Sequence, residues 1–329
     1  MDTTKTTGFA LTSLKAVGKF FRNYYVRRVL SALLTILLIA TVTFFMMHAI
    51  PGGPFSRERP LPDEIIAALN EKYHLNDPIL KQYFDYMVGL ATFNLGPSFR
   101  RTGFEVEELI LLGFPISAKI GLMAIIIIIL VGIPVGIVSA LRQNKPADYF
   151  VMFIATLGVT IPSFVVAALF IYIFAGVLQW VDAFGLERPS SYIGPVLALV
   201  GYSLAFVSRL TRSSMLEVMR QDYIRTARAN GLSRFKVIYK HALKNALIPV
   251  VTYLGPMVAA ILTGSFVVEK VFTIPGIGKY FVQSVNDRDY TMIIGSTVFF
   301  AVLYVIMVLL VDVAYSLIDP RIRLGKKSE

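Results

Sequence analysis

The sequence predicts an all-α integral membrane protein with six transmembrane helices. Hydrophobic residues make up 56% of the 329 residues and charged residues only 16%, whereas soluble domains carry ~25% charged residues. The apolar residues stand in long runs that Lys and Arg flank. A formal charge of +11 could suggest a nucleic-acid partner, but membrane topology itself places basic residues at the ends of apolar runs. We therefore predict the lipid bilayer as a partner and no nucleic acid.

Six apolar runs are long enough to cross a bilayer, since a helix needs ~20 residues for ~30 Å of hydrocarbon. We place the spans at residues 29–50, 115–141, 150–178, 191–207, 246–268 and 292–317. The first run is too long for the apolar core of a signal peptide, and no small-residue cleavage site follows it. Short polar turns separate most pairs of runs, so neighbouring helices should be antiparallel.

Lys and Arg concentrate before the first span, after the second, between the fourth and fifth, and after the sixth. The positive-inside rule places these segments on the cytoplasmic side. We predict a cell-membrane protein with both termini cytoplasmic. Its parts are a cytoplasmic segment 1–28, the first helix 29–50, an extracytoplasmic insertion 51–114, a five-helix core 115–318 with a cytoplasmic loop 209–245, and a cytoplasmic tail 319–329.

Prolines interrupt several predicted spans, and the candidate kink sites are Pro134, Pro162, Pro249 and Pro256. Each proline leaves a backbone carbonyl unpaired, which lipid cannot satisfy, so these sites should face other helices or a water-filled path. Gly132 and Gly136 permit two helices to approach closely. Packing alone explains any one of these positions, whereas together they favour a bundle that flexes around a solute path.

Ionisable residues are nearly absent from the middle of the spans, where a charge costs ~2.5–3.5 kcal/mol on insertion scales. Lys119, Glu269 and Lys270 lie near span ends, where their side chains should reach the interface. An ion-coupled carrier needs a deep carboxylate or histidine, and the sequence offers no convincing relay. The energy for any transport should therefore come from another polypeptide.

The loop 209–245 is patterned as two helices. Leu216, Met219, Tyr223 and Ala227 recur at helical spacing and predict a first helix. Gly231 suits the left-handed position that ends a helix, and Ser233 suits an N-cap. A second apolar stripe then follows, which consists of Phe235, Ile238, Tyr239 and Ala242.

Ala227 and Gly231 should share one face of this hairpin and leave a shallow notch for a partner. On physical grounds alone, a helix that rests on anionic lipid is an equal alternative to a docking element.

The insertion should contain two helices, opened by Pro62 and Pro78, because proline is favoured at helix starts. Leu80, Phe84, Met87 and Ala91 fall on one face of the second helix. The insertion is interpreted either as a lid or docking surface for an external solute receptor, or as a cap over the bundle. The two interpretations are compatible.

The sequence shows no pattern typical of a metal site, a nucleotide-binding loop or a catalytic site. It has no cysteine and three histidines, which lack metal-ligand spacing, so we predict no metal site. Residues 276–279 read Gly-Ile-Gly-Lys, but Thr273 and Tyr280 stand where a nucleotide-binding loop needs Gly and Ser or Thr. No catalytic triad or carboxylate pair is apparent. We predict that the chain is not an enzyme.

Several motifs, in order, carry a resemblance to a known family. Residues 222–232, Asp-Tyr-Ile-Arg-Thr-Ala-Arg-Ala-Asn-Gly-Leu, resemble the EAA loop of ABC importer permeases, in particular the B-type subunits of the dipeptide and oligopeptide systems. Ala227 and Gly231 match the second Ala and the Gly of that loop, whereas Arg225 and Thr226 replace its Glu and first Ala. Further matching motifs are residues 51–54, 94–98, 161–164, 269–278, 288–290 and 319–321.

The resemblance implies a type I ABC importer permease fold for an oligopeptide permease. It implies that Asp222, Tyr223, Arg225, Thr226, Ala227, Arg228 and Gly231 form a coupling helix on an ATPase subunit. It also implies a second related permease, two ABC ATPase subunits that bind ATP and Mg, and an extracytoplasmic peptide-binding protein. No cofactor is expected in this chain itself.

Three alternative functions stay open at this point. The chain could serve an ABC importer for dipeptides or another small solute, such as a nickel-type system. It could be an ion-coupled secondary peptide carrier, which would require deep ionisable residues. A membrane-anchored structural or sensory protein would show no solute flux.

Overall fold

The computed structural model describes residues 24–55 and 62–318. Most of the predicted segment 1–28 and the whole tail 319–329, including the motif at 319–321, lie outside the described residues. Within the described ranges the regular structure is helical, apart from one isolated β-bridge between Pro97 and Glu105. The prediction of an all-α chain is confirmed.

Thirteen helical segments follow one another along the described chain. They are α1 (Tyr24–His48), α2 (Asp63–Lys72), α3 (Ile79–Ala91), α4 (Val106–Leu141), α5 (Pro146–Thr160), α6 (Ser163–Val177), α7 (Ile193–Met219), α8 (Asp222–Ala229), α9 (residues 234–246), α10 (Ile248–Leu262), α11 (Phe266–Val271), α12 (Ile277–Asp287) and α13 (Tyr290–Ile318). Three of them contain π-helical turns, at Ile128–Gly132 in α4, Ile171–Val177 in α6 and Val237–Ala242 in α9. A short 3₁₀ helix, Pro189–Tyr192, leads into α7.

Five helical stretches are long and apolar enough to cross a membrane, and α5 with α6 supplies a sixth if that pair is one span. The prediction of a polytopic membrane protein is confirmed. The third predicted span, 150–178, is wrong as a continuous helix because α5 and α6 are bent by 98°. Pro162 causes the break: it forces the preceding Ile161 into an extended conformation, with φ −82° and ψ 120°.

The helix that contains the second predicted span begins at Val106 rather than at residue 115. Pro115 lies inside α4. The helix starts early because Glu105 donates its backbone N–H to the Glu108 carboxylate at 3.3 Å, and because Leu109 already packs in a buried cluster.

The fourth spanning helix continues to Met219, well beyond the predicted end at residue 207. Val207, Thr211 and Met215 are all fully buried, and their spacing of four keeps them on one helix face. The predicted single helix through residues 216–227 is therefore wrong. The chain breaks at Gln221, whose backbone is extended, and α8 begins after it.

The fifth predicted span, 246–268, is also interrupted. Helix α10 ends at Leu262, and Gly264 takes a left-handed conformation with φ +83° before α11 begins. The main buried cluster joins α4, α6, α7, α10 and α11, with Ile128, Val207 and Val250 among its fully buried members.

Glycines allow α4 to lie close to α7. A Cβ on Gly136 would lie 2.6 Å from the Thr211 Cβ, and one on Gly132 would lie 3.2 Å from a Val207 methyl. The predicted close helix packing at these two glycines is confirmed.

The faces of the long helices that no other described part of the chain covers are rich in large apolar side chains. On α1 these are Leu30, Leu33, Leu34, Leu37, Leu38, Val42 and Met46. Contiguous apolar surface on this scale is not stable in water. It is the surface that lipid covers in a membrane protein.

Candidate functional site

The hairpin formed by α8 and α9 has the turn chemistry that the sequence predicts. Gly231 has φ +74°, and its N–H donates to the Arg228 carbonyl at 3.0 Å while the Leu232 N–H donates to the Ala227 carbonyl. This pair of bonds ends a helix with glycine in the left-handed position. Ser233 accepts a hydrogen bond from the Lys236 N–H at 3.5 Å and caps α9.

Helix α8 turns its apolar face inward. Ile224 and Ala227 are buried in a cluster with Met215 of α7, Ala140 of α4 and Val237 of α9. The predicted notch at Ala227 and Gly231 is therefore wrong: Ala227 is only 6% exposed because its methyl group packs against the ends of the spanning helices.

The remaining residues that the sequence assigns to this surface are exposed: Asp222, Tyr223, Arg225, Thr226, Arg228 and Gly231. Arg225 lies 3.6 Å from Asp222, and the Tyr223 hydroxyl accepts a hydrogen bond from the Asn245 side chain at 2.7 Å. Helix α8 therefore presents a polar, largely basic face that is backed by an apolar one.

The predicted apolar stripe on α9 is also wrong. Val237 and Ala242 are buried, whereas Phe235 and Tyr239 are 74% and 66% exposed, and their rings stack with centroids 5.8 Å apart. The π-helical turn Val237–Ala242 is the reason. It adds one residue to the turn, so residues five apart share the buried face instead of residues three or four apart.

An open groove of about 560 Å³ lies beside the hairpin, at the ends of α4 and α7. Arg220, Arg228 and Arg234 line it together with apolar side chains such as Leu216 and Leu232. The groove adds to the positive surface around α8.

A partly buried ion pair that the sequence does not reveal lies next to the hairpin: the Asp148 side chain is 2% exposed and that of Arg212 23%. Asp148, near the start of α5, accepts from the Arg212 guanidinium through both oxygens at 2.6 and 2.7 Å. It also accepts from the Ser139 hydroxyl at 2.5 Å and from the Asn144 N–H at 2.9 Å. The cluster joins α4, α5 and α7 and is called the Asp148 clamp below.

At the other end of the bundle, Glu269 is buried instead of reaching the interface, so the prediction for this side chain is wrong. Its carboxylate accepts from the Ser117 hydroxyl at 2.7 Å and from the Lys279 N–H at 2.9 Å. Ser117 in turn accepts from the Ile277 N–H at 2.9 Å. Together they satisfy the N–H groups at the start of α12, which a helix cannot pair internally.

Asp289 makes a second buried carboxylate cluster at the same end. It accepts from the Ser98 hydroxyl, from the Phe99 N–H at 3.1 Å and from the Met292 N–H at 3.3 Å. Ser98 and Phe99 belong to the insertion, and Met292 lies in the first turn of α13. Asp289 therefore fixes the end of the insertion to the last spanning helix.

The four predicted helix-kink positions have different structural roles. Pro162 lies at the sharp bend, and Pro134 follows the π-helical turn of α4. Pro256 lies inside α10. Pro249 is not an interior kink, because α10 begins at Ile248 and a proline in the first turn needs no hydrogen-bond donor.

Among the described residues, no group of three or more His, Asp or Glu side chains is placed to hold a metal ion.

Comparison with known proteins gives matches along nearly the whole chain. Residues 132–324 match the family model described as binding-protein-dependent transport system inner membrane component, and residues 21–103 match the model of its N-terminal part. The dipeptide transport system permease protein of Bacillus subtilis is 49% identical over 93% of this chain and 99% of its own length. The oligopeptide transport system permease protein of Salmonella typhimurium is 44% identical over 92% of this chain and 99% of its own length.

A solved structure of the MetNI methionine ABC transporter in inward-facing conformations aligns with 67% of this chain and 98% of its own, with a TM-score of 0.49 and 18% identity.

Proposed function

The chain belongs to the family of inner membrane components of binding-protein-dependent transport systems, and from that premise we propose that it is the membrane-spanning permease subunit of an ATP-driven ABC importer for oligopeptides. The proposal is supported by relatives named as oligopeptide and dipeptide permeases, which align over almost their full length. A dipeptide importer is the second candidate, because the 49% identity is to a dipeptide permease.

The assembly that we propose has the type I ABC permease fold in each of two permeases: this chain and a second, related one. Two ABC ATPase subunits bind ATP and Mg beneath them, and an extracytoplasmic binding protein delivers the peptide. Both termini and the α8–α9 hairpin face the cytoplasm. The concentration of Arg and Lys around the hairpin supports this orientation.

The proposed mechanism rests on the fact that α8 has one exposed polar face and one buried apolar face. Its exposed polar face can dock on an ATPase subunit, while Ile224 and Ala227 press on the ends of α4 and α7. A push on α8 is then delivered to two long helices that the Asp148 clamp links to α5. The helices can flex at the bend at Pro162 and at the irregularities at Pro134 and Pro256. This flexing would convert the movement of α8 into opening of the peptide path to one side of the membrane and then to the other.

Reconstitution tests the proposal directly. Affinity-purified chain should bring ATPase subunits with it, and vesicles that contain the complex and a peptide-binding protein should accumulate labelled oligopeptides only when ATP is supplied. Uptake by the chain alone, driven by a proton or sodium gradient, would contradict the proposal and favour a secondary carrier. Dipeptide uptake without oligopeptide uptake would favour the second candidate.

Substitution of Gly231 tests the docking face. A Cβ at Gly231 meets no atom within 4 Å, so a side chain projects outward toward the proposed ATPase surface. Gly231→Glu should abolish ATP-dependent uptake and ATPase co-purification while leaving membrane insertion intact. Gly231→Ala is the matched control because it introduces the same left-handed backbone strain, ~1–2 kcal/mol, without the bulk or the charge. Normal uptake by Gly231→Glu would refute this docking role.

A further inference from the structure

The second helix of the insertion, α3, carries an apolar stripe that no described part of the chain covers. Leu80, Phe84 and Val88 are 61%, 62% and 64% exposed. They recur every four residues and so form one continuous strip. The flank next to the stripe, ~100° further round the helix from Leu80 and Phe84, is charged: Lys81 bonds to Asp77 at 2.8 Å, and Asp85 is exposed.

A different side of α3 packs against the spanning helices. Tyr83, Tyr86, Met87 and Leu90 contact a buried cluster that is formed by residues of α1 and α13. The Tyr83 hydroxyl lies 2.9 Å from the Thr41 hydroxyl, and the Tyr86 ring stacks on Phe44. Burial in this cluster raises the pKa of Tyr86, as an apolar environment disfavours the charged phenolate.

These contacts fix the depth of α3. Thr41 lies seven positions before the end of α1 at His48, which corresponds to ~10 Å along a helix that rises ~1.5 Å per residue. The spanning part of α1, Val26–His48, has 23 residues and is only slightly longer than the ~20 residues that ~30 Å of hydrocarbon requires. A helix that reaches Thr41 therefore lies alongside the membrane-spanning part of α1.

The stripe is also continuous with the lipid-facing surface of α1. The Tyr83 ring lies 5.4 Å from the ring of Phe45 and 5.5 Å from that of Phe84. Phe45 and its neighbour Met46 belong to the exposed apolar surface of α1. The Tyr83 ring therefore joins the two surfaces.

We propose that α3 is an interfacial membrane helix whose Leu80, Phe84 and Val88 face is embedded in the acyl chains of the leaflet on the insertion side of the bilayer. A helix with one apolar face and one charged face binds a bilayer in this way. The charged flank that carries Lys81 and Asp85 then points to water. Helix α3 thus anchors the insertion in the membrane. This inference requires only that the chain spans a membrane.

The absence of cysteine from the sequence makes a direct test possible. Single-cysteine variants Phe84→Cys and Val88→Cys of the full chain are spin-labelled and reconstituted in phospholipid vesicles. Collision rates are then measured with oxygen, which concentrates in lipid, and with a water-soluble nickel chelate. Leu38→Cys on the lipid face of α1 and the fully buried Ala40→Cys serve as the lipid and protein-covered references. Asp85→Cys, one residue further round α3, serves as the aqueous reference.

Labels at positions 84 and 88 should have an oxygen-to-nickel collision ratio well above that at 85 and below that at 38, because position 38 lies at the middle of the α1 span and an interfacial helix is less deeply embedded. Frequent collision with the nickel chelate, as at 85, would show a stripe that faces water and would overturn the proposal. Rare collision with both reagents, as at 40, would show that another polypeptide covers the stripe, which would also overturn it.

Discussion

The two ends of the helix bundle are held together in different ways. At the insertion end, Glu269 and Asp289 are buried and bind backbone N–H groups and hydroxyls of distant segments. At the hairpin end, the hydrogen bonds of α8 in the described chain have partners only within residues 221–245. Helix α8 contacts the spanning helices through apolar side chains instead, with Ile224 and Ala227 at the centre.

The difference has a mechanical meaning. A carboxylate that satisfies several directed donors fixes the position of the segments it joins, because any shift leaves buried donors unpaired. Apolar packing has no preferred direction, so α8 can tilt against its seat without breaking a hydrogen bond to α4 or α7. The insertion end therefore resists movement, whereas α8 can move against the spanning helices, as the proposed coupling role requires. The Asp148 clamp is the exception near the hairpin, because it holds the helices together by directed hydrogen bonds, as Glu269 and Asp289 do at the insertion end.

The largest effect should follow from breaking the Asp148 clamp. Asp148→Ala leaves the Arg212 guanidinium without its carboxylate; removing one partner of a buried ion pair costs ~3–5 kcal/mol, and the 23% exposure of the Arg212 side chain favours the lower part of that range. The free energy of unfolding in mixed micelles should fall by about that amount. The double variant Asp148→Asn with Arg212→Met is the control, because it removes both charges while the amide can still accept from the Asn144 N–H and donate to the Ser139 oxygen, and it should recover most of the loss. If Asp148→Ala unfolds like the natural chain, α4, α5 and α7 are not joined by the clamp.

The sequence predicts features that depend on local chemistry and misses those that depend on distant partners. Gly231 and Ser233 are predicted correctly because a left-handed turn and an N-cap need only neighbouring residues. The Asp148 clamp is missed because Arg212 lies 64 residues away. An aspartate near a helix start is equally well explained by the helix dipole.

Helix boundaries fail for a related reason. The apolar run of α7 ends at Val207, yet the helix continues because Thr211 and Ser214 are small enough to be buried against α4. Nothing in the sequence marks the π-helical turn that exposes Phe235 and Tyr239. For Glu269, proximity to a predicted span end suggests exposure, whereas Ser117, 152 residues earlier, supplies its buried partner.

A smaller effect is expected from Glu269→Gln, which tests the rigid end. The amide keeps the size of the side chain but replaces one acceptor oxygen with a donor, which would face the Lys279 N–H or the Ser117 hydroxyl. A buried donor left without a partner costs ~1–3 kcal/mol, so the free energy of unfolding should fall by about that amount. The matched control is Lys270→Gln at the adjacent exposed position. Equal stability of the two variants would mean that Glu269 does not brace the insertion end.

The smallest effect should come from Ser233→Ala in the hairpin. Loss of an N-cap costs ~0.5–2 kcal/mol, and the 3.5 Å distance from Ser233 to the Lys236 N–H favours the lower part of that range. Among the hydrogen bonds of the described residues, none joins α8 or α9 to α4. We therefore expect the loss to stay local: amide exchange should rise at residues 234–236 and remain unchanged at the start of α12. Ser213→Ala, at an exposed site inside α7, should leave both regions unchanged. If Ser233→Ala also raised exchange at α12, the two ends would be one cooperative unit, and the contrast between a fixed end and a compliant end would fail.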